Sequence, residues 1–171
     1  MTSKTATLPR FGVGSGLGQR TAAPPDRPKL AFARDEAAGR AKAPAGRSRI
    51  LIVEDDFLVA ADVEAALLDA GFEVAGIAET AETALAAVVA EKPSLVLMDI
   101  RLAGSRDGID AAIEIYRDHG IRSLFASAHS DELARTRAEA AKPLGWLQKP
   151  YTMDRLVDAV NEALSDLAEE H

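Results

Sequence analysis

Residues 49–56 read RILIVEDD, an uninterrupted apolar run that ends on Glu54, Asp55 and Asp56. A run without alternating polar positions is typical of a strand that is buried on both faces of a parallel sheet. The residues that follow place apolar side chains at helical spacing until Gly71, which predicts a helix with a glycine just past its end. This stretch therefore predicts one strand and one helix, joined by a loop of carboxylates.

The same pattern repeats along the rest of the 171-residue chain. Short apolar runs predict further strands at 72–78, 95–98, 123–127 and 144–148. Helices are predicted at 81–91, from 109 to Gly120, after a cap at Ser130, and from 153 to 167. We expect Pro143 to shorten the helix that begins after Ser130. Because crossovers between parallel strands are right-handed in nearly all proteins, five such units favour a doubly wound α/β fold.

The chain divides in composition near residue 48. Residues 1–49 carry ten Lys or Arg and three acidic residues, whereas residues 50–171 carry ten and 24. The first segment is also rich in glycine and proline and has almost no apolar periodicity. These features predict a disordered basic tail at 1–47, one folded domain at 48–168 and a short acidic end at 169–171.

Composition excludes several classes of function. The chain has no cysteine, which excludes disulfides, iron–sulfur clusters, thiolate zinc sites and cysteine nucleophiles. No apolar run approaches the roughly 18 residues that a membrane span needs, so we expect no membrane insertion. The strong acidity of the predicted domain also argues against direct binding to nucleic acid.

Polar residues stand where four of the predicted strands end. Glu54 and Asp55 follow the first strand, Asp99 the third, Ser127 ends the fourth and Lys149 follows the fifth. In doubly wound sheets, ligands bind at the carboxyl ends of the strands. We therefore expect these five side chains to lie close together at one edge of the sheet.

The chemistry of this set points to a cation and a phosphoryl group. Three carboxylates brought together repel one another and need a compensating positive charge. Because the donors are all oxygen atoms, the fitting ion is Mg2+, with Mn2+ as a substitute. The Lys149 ammonium and the Ser127 hydroxyl suit phosphoryl oxygens. The set thus predicts phosphoryl chemistry on a carboxylate.

Four motifs, in this order, resemble those of two-component response-regulator receiver domains. They are RILIVEDD at 49–56, LVLMDIRL at 95–102, FASA at 125–128 and LQKPY at 147–151. The resemblance covers residues 48–168. It implies a flavodoxin-like fold with five helices around a five-stranded parallel sheet in the order 2-1-3-4-5, which agrees with the pattern of the residues themselves.

The resemblance also implies a role for each residue of the set. Asp99 accepts a phosphoryl group from a histidine kinase or histidine phosphotransferase. Mg2+ is held by Asp55, Asp99 and the backbone carbonyl of Arg101, and by Glu54 through a water molecule. Lys149 and Ser127 contact the phosphoryl group, and the Lys149–Pro150 peptide bond is expected to be cis.

Further expectations from the resemblance concern the response to phosphorylation. Ser127 and Trp146 are the switch residues, and a downstream protein binds the face formed by helix four, strand five and helix five. Arg101 and His129 occupy the two positions that tune dephosphorylation, and we expect both side chains to flank the path of the hydrolytic water.

The resemblance also implies a cytoplasmic, bacterial signalling switch that modifies only itself and is not otherwise an enzyme. Because only a few acidic residues follow the last predicted helix, we expect no output domain. The signal is then passed by protein contacts, or the phosphoryl group is passed onward as in a relay. Two alternatives remain open. One is a pseudo-receiver, an interaction module that keeps the fold without the chemistry. The other is a small phosphoryl-transfer enzyme, disfavoured because Arg101 stands where a second catalytic aspartate would be expected.

Overall fold

The computed structural model describes residues 48–128 and 132–170. The predicted tail at 1–47, the predicted cap Ser130, and His129 and His171 lie outside the described residues. Strands and helices alternate in the order β1 (Arg49–Val53), α1 (Phe57–Asp69), β2 (Glu73–Ala78), α2 (Ala81–Glu91), β3 (Leu95–Asp99), α3 (Gly108–His119), β4 (Ser123–Ser127), α4 (Glu132–Ala138), a 3-10 helix (Glu139–Ala141), β5 (Gly145–Gln148) and α5 (Met153–Glu169).

The five strands form one parallel sheet in the order β2-β1-β3-β4-β5, which confirms the predicted fold and strand order. The register brings the carboxyl ends of the strands to one edge. Val53 lies beside Met98, Asp99 beside Ala126, and Ser127 beside Gln148. The residues that follow these ends are therefore neighbours in space although they are far apart in the chain.

The sheet is covered by helices on both faces. Ile50 and Ile52 of β1 point into a cluster with α1 and α5, whereas Leu51 and Val53 point into a second cluster with α2 and α3. Every residue of β3 and of β4 is buried. Burial on both faces is the reason that these strands read as continuous apolar runs rather than as alternating ones.

Side-chain caps determine where several helices begin. The Asp56 carboxylate accepts hydrogen bonds from the first turn of α1, and Thr80 with Thr83 forms a reciprocal capping box at α2. Asp107 and Thr152 cap α3 and α5 in the same way. Each cap satisfies backbone N–H groups that have no partner within the helix.

Some boundaries differ by one residue from those predicted. β2 and β5 each begin one residue later than expected, and β3 extends to include Asp99. The Phe72 N–H donates to the Leu67 carbonyl 3.0 Å away, which ends α1 and keeps Phe72 out of the strand ladder. α4 changes to a 3-10 turn before Pro143, as expected from that proline. None of the helices in the described ranges has the length and apolar composition that a membrane span requires.

Candidate functional site

Three carboxylates meet at the carboxyl edge of the sheet. Glu54 and Asp55 follow β1, Asp99 ends β3, and each offers one oxygen atom within 4.8 Å of the others. Glu54 and Asp99 are buried, whereas Asp55 is exposed. The structure therefore brings together the three acidic residues that the sequence singled out.

Lys149 bridges the two buried carboxylates. Its Nζ atom lies 2.6 Å from Glu54 Oε2 and 2.6 Å from Asp99 Oδ2. The Lys149 N–H donates to the Ser127 carbonyl at 2.9 Å, and the Lys149–Pro150 peptide bond is cis, as expected. The end of β5 is thus tied to the end of β4, and the ammonium group is directed at the carboxylates.

Burial and charge act in opposite directions on this cluster. Burial raises the pKa of Glu54 above its ordinary value, the hydrogen bond from Lys149 opposes that rise, and the Asp99 charge adds to it. Burial alone would lower the pKa of Lys149, but its hydrogen bonds with Asp99 and Glu54 outweigh that effect and raise the pKa. Lys149 is therefore positively charged at neutral pH and offsets part of the negative charge of the site.

The backbone around Asp99 is tightly packed. The Arg101 N–H donates to Asp99 Oδ1 at 3.1 Å, and the Gly108 N–H donates to the Ile100 carbonyl at 2.8 Å. A Cβ atom at Gly108 would lie only 1.9 Å from the Asp99 carbonyl oxygen. The first residue of α3 must therefore be glycine for the helix to lie against Asp99. This contact is not predictable from the sequence, in which Gly108 is only the end of a loop.

The two predicted switch residues lie on neighbouring strands. Ser127 is buried at the end of β4, and Trp146 is half-buried in β5. The Trp146 ring stacks on Phe125 with centroids 4.7 Å apart, and the Arg135 guanidinium carbon lies 4.9 Å from the Trp146 ring centroid. Phe125 and Arg135 carry no signal in the sequence that links them to Trp146. Arg101 is exposed.

The donor set fits a hard divalent cation. Glu54, Asp55 and Asp99 offer only oxygen atoms, two of the three carboxylates are buried, and the described residues show no histidine beside them. Carboxylate oxygens are the protein ligands that Mg2+ prefers, usually together with water molecules. The exposure of Asp55 leaves one side of the cluster open to water.

Residues 50–161 match the sequence model of the response regulator receiver domain. The chain is 34% identical over 121 residues to the transcriptional regulatory protein PdtaR of Mycobacterium tuberculosis, and 30% identical over 128 residues to the phyllosphere-induced regulator PhyR of Methylorubrum extorquens. These matches cover 71% and 74% of the chain but only 58% and 47% of the two relatives. The match to the chemotaxis protein CheY of Bacillus subtilis, at 33% identity, covers 68% of the chain and 98% of that protein.

Solved structures give the same result. A CheY-like receiver domain protein from Methanospirillum hungatei superposes with a TM-score of 0.68 at 25% identity, over 74% of this chain and 100% of that one. PhyR from Brucella abortus superposes with a TM-score of 0.62 at 32% identity, over 73% of this chain and 51% of that one. The chain therefore belongs to the response regulator receiver domain family and is a receiver of two-component signalling.

Proposed function

We propose that this protein is a phosphorylatable receiver and that Asp99 accepts the phosphoryl group. The donor is the phosphohistidine of a histidine kinase or histidine phosphotransferase. The observation that supports this proposal most directly is the position of the Lys149 ammonium, 2.6 Å from Asp99 Oδ2 and directed at the carboxylate cluster. A buried carboxylate beside a fixed positive charge is a suitable acceptor for a group that brings negative charge with it.

In the proposed step, one oxygen of Asp99 attacks the phosphorus atom. A new oxygen–phosphorus bond forms while the bond between phosphorus and the donor's imidazole nitrogen breaks, and the nitrogen keeps the electron pair of that bond. The Lys149 ammonium then pairs with a phosphoryl oxygen, and the Ser127 hydroxyl donates a hydrogen bond to another. Phosphorylation therefore creates two contacts, one with Lys149 and one with Ser127, that the unphosphorylated protein does not make.

Asp55, Asp99 and the Arg101 carbonyl would hold a Mg2+ ion, and Glu54 would reach it through a water molecule. Mn2+ would serve as a substitute. When bound, the ion neutralises negative charge on the donor and acceptor oxygens during transfer. The cluster of three carboxylate oxygens within 4.8 Å supports this assignment.

The proposed output is a protein contact. Phosphorylation draws Ser127 toward the phosphoryl group, Trp146 changes its packing on Phe125, and a partner protein binds the face formed by α4, β5 and α5. Arg101 and His129 would adjust the lifetime of the phosphoryl group by controlling access of water to it. Because the proposed donors are cytoplasmic, the proposal assigns the protein to the cytoplasm.

The test is intact-mass detection of a phosphoryl adduct after incubation with acetyl phosphate and Mg2+. We expect the wild-type protein to gain one phosphoryl group, and we expect Asp99→Asn or a chelator to abolish the gain. Asp56→Asn is the matched control, because Asp56 follows the same strand but caps α1 and should be dispensable for transfer. A folded protein that gains no group from acetyl phosphate or from a phosphorylated kinase would instead be an interaction module.

A further inference from the structure

α4 is held in place by very little buried apolar surface. Among its residues, Glu132–Ala138, only Ala138 is buried, and Leu133 is 72% exposed. Elements with few buried apolar contacts have low local stability and open most easily. With so little apolar burial, polar contacts contribute a substantial share of the stability of α4.

One polar contact of α4 in the described part of the chain is a forked ion pair with the start of α3. The two terminal nitrogens of Arg137 lie 2.9 Å from Asp107 Oδ2 and 3.3 Å from Asp107 Oδ1, and one of them also lies 3.0 Å from Asp110 Oδ1. Planar guanidinium groups match carboxylates in this two-pronged geometry, which restricts orientation as well as distance. Arg137 thus fixes α4 relative to the first turn of α3.

Asp107 connects that ion pair to the candidate site. The Asp107 side chain caps α3 by accepting from the Asp110 N–H at 2.9 Å. The next residue, Gly108, donates to the Ile100 carbonyl at 2.8 Å and lies against the backbone of Asp99. A continuous series of contacts therefore runs from Asp99 through the start of α3 to Arg137.

Asp107 is charged under the conditions in which the protein would work. Burial tends to raise the pKa of Asp107, but its hydrogen bonds with Arg137 and with backbone N–H groups of α3 outweigh that effect and lower the pKa. The pair is therefore fully ionised at neutral pH.

We propose that the ion pair between Asp107 and Arg137 is a latch that holds α4 against the loop after Asp99 and opens when Asp99 is phosphorylated. This inference rests on the proposed function and deepens it. In the described arrangement, Asp99 binds the Arg101 N–H and the Lys149 ammonium. A phosphoryl group on Asp99 competes for both donors, and in the proposed opening the loop between Asp99 and Gly108 rearranges and moves Asp107 away from Arg137.

The weak packing of α4 is what makes such a latch effective. A half-exposed ion pair contributes little to a helix anchored in a core, but it shifts the balance of a helix that buries one alanine. Opening would also loosen the contact of Arg135 with Trp146, because both arginines lie on α4. The start of the proposed output face would then change together with the phosphorylation site.

The experiment is amide hydrogen exchange of α4 in the full chain, with and without acetyl phosphate and Mg2+, and with the intact mass recorded on the same samples. In the wild-type protein, phosphorylation should speed exchange in α4. Arg137→Gln should speed it about three- to fivefold without phosphorylation, the effect expected of a half-exposed forked pair, and should remove most of the further response to phosphorylation. Asp107→Asn keeps a capping side chain and should change exchange in the same direction, but less, because the contact of Arg137 with Asp110 remains.

Arg117→Gln is the matched control. Arg117 pairs with its neighbour Asp118 on α3, so its loss should leave exchange in α4 and its response to phosphorylation unchanged. The latch is refuted if Asp99 gains its phosphoryl group and exchange in α4 does not respond, or if Arg137→Gln retains the full response. If the wild-type protein gains no group at all, the proposed function fails, and the latch fails with it.

Discussion

Glu54, Asp55 and Asp56 follow one another in the chain, yet each has a different environment. Glu54 is buried and binds Lys149, Asp55 is exposed at the carboxylate cluster, and Asp56 accepts hydrogen bonds from the first turn of α1. The turn between β1 and α1 separates three similar side chains into an ion pair, a candidate metal ligand and a helix cap. Residue type alone does not distinguish these environments.

Gly108 is the position where a single methyl group would change the site. Because its Cβ would lie 1.9 Å from the Asp99 carbonyl oxygen and 2.9 Å from the Asp99 carbonyl carbon, either α3 or the end of β3 would have to shift. We expect Gly108→Ala to destabilise the protein by about 1–3 kcal/mol, as overpacking usually does, and to reduce phosphorylation of Asp99. Urea unfolding and intact mass measure the two effects.

Gly71→Ala is the comparison for this prediction. Gly71 has φ +91°, and a Cβ atom there would meet no residue other than its chain neighbours within 4 Å, so alanine strains the backbone without a steric clash. It should cost stability and leave phosphorylation unchanged. Equal phosphorylation of Gly108→Ala and wild type would show that the close contact does not position Asp99.

At the scale of elements, the beginning of α3 combines two functions. Asp107 caps the helix and also binds Arg137 of α4, so the same carboxylate ends one loop and joins two helices. The sequence places α3 well, because Gly120 follows its last turn and adopts the left-handed conformation expected there. The contact with α4 has no such local signal.

The ion pair between Asp107 and Arg137 predicts a defined dependence of stability on pH. The pKa of Asp107 is lower in the folded protein, so its contribution is fully present above the unfolded value of about 3.9. That contribution is lost as the pH falls through the lower pKa of the folded state. We expect Asp107→Asn to reduce the free energy of unfolding by about 0.5–1 kcal/mol at pH 7, with the difference disappearing in stronger acid.

Urea unfolding of both proteins between neutral and acidic pH measures this difference. Arg137→Gln should show a similar dependence with a somewhat larger loss, because it also removes the contact with Asp110. The double variant should lose little more than Arg137→Gln alone, because both changes break the pair between Asp107 and Arg137. A difference that stays constant down to the lowest pH at which the protein folds would mean that the Asp107 charge does not contribute.

At the scale of the whole molecule, the strand order of the sheet brings three negative charges together, and their repulsion lowers the stability of the folded protein. The order β2-β1-β3-β4-β5 makes β1 and β3 neighbours, which brings Glu54 and Asp55 beside Asp99. These charges are separated in the unfolded chain and repel one another in the folded one. A cation that binds the cluster therefore binds the folded state preferentially.

We expect Mg2+ to raise the thermal stability for this reason. At ten times the dissociation constant, binding to the folded state alone contributes about 1.4 kcal/mol, or roughly 5 °C in Tm. Asp55→Asn should abolish this increase with little harm to the fold, because Asp55 is exposed. Differential scanning fluorimetry with a Mg2+ titration measures the increase in Tm of the wild type and of Asp55→Asn.

Asp56→Asn should retain the full Mg2+ response, since Asp56 caps α1. If Asp55→Asn responds to Mg2+ as the wild type does, Asp55 is not a ligand of the ion. An equal response of the wild type to the same ionic strength of NaCl would indicate general screening of charge rather than a site.

The sequence by itself determined the alternation of strands and helices, the resemblance that implied the strand order, and the convergence of Glu54, Asp55, Asp99 and Lys149. These features were predictable because burial on two sheet faces leaves continuous apolar runs, and because the carboxyl ends of parallel strands share one edge. The roles of the site residues in phosphoryl transfer stay predictions, as do the tail at 1–47 and the role of His129.

Only the tertiary structure decided the approach of Gly108 to Asp99, the stack of Phe125, Trp146 and Arg135, and the ion pair between Asp107 and Arg137. Each of these contacts joins residues of different helices or strands, with Asp107 as the cap of α3, and each depends on distances of a few ångströms between those elements. Helical and strand periodicities report which face of an element is buried, but they contain no information about which residue lies opposite. That pairing arises only when the elements pack together.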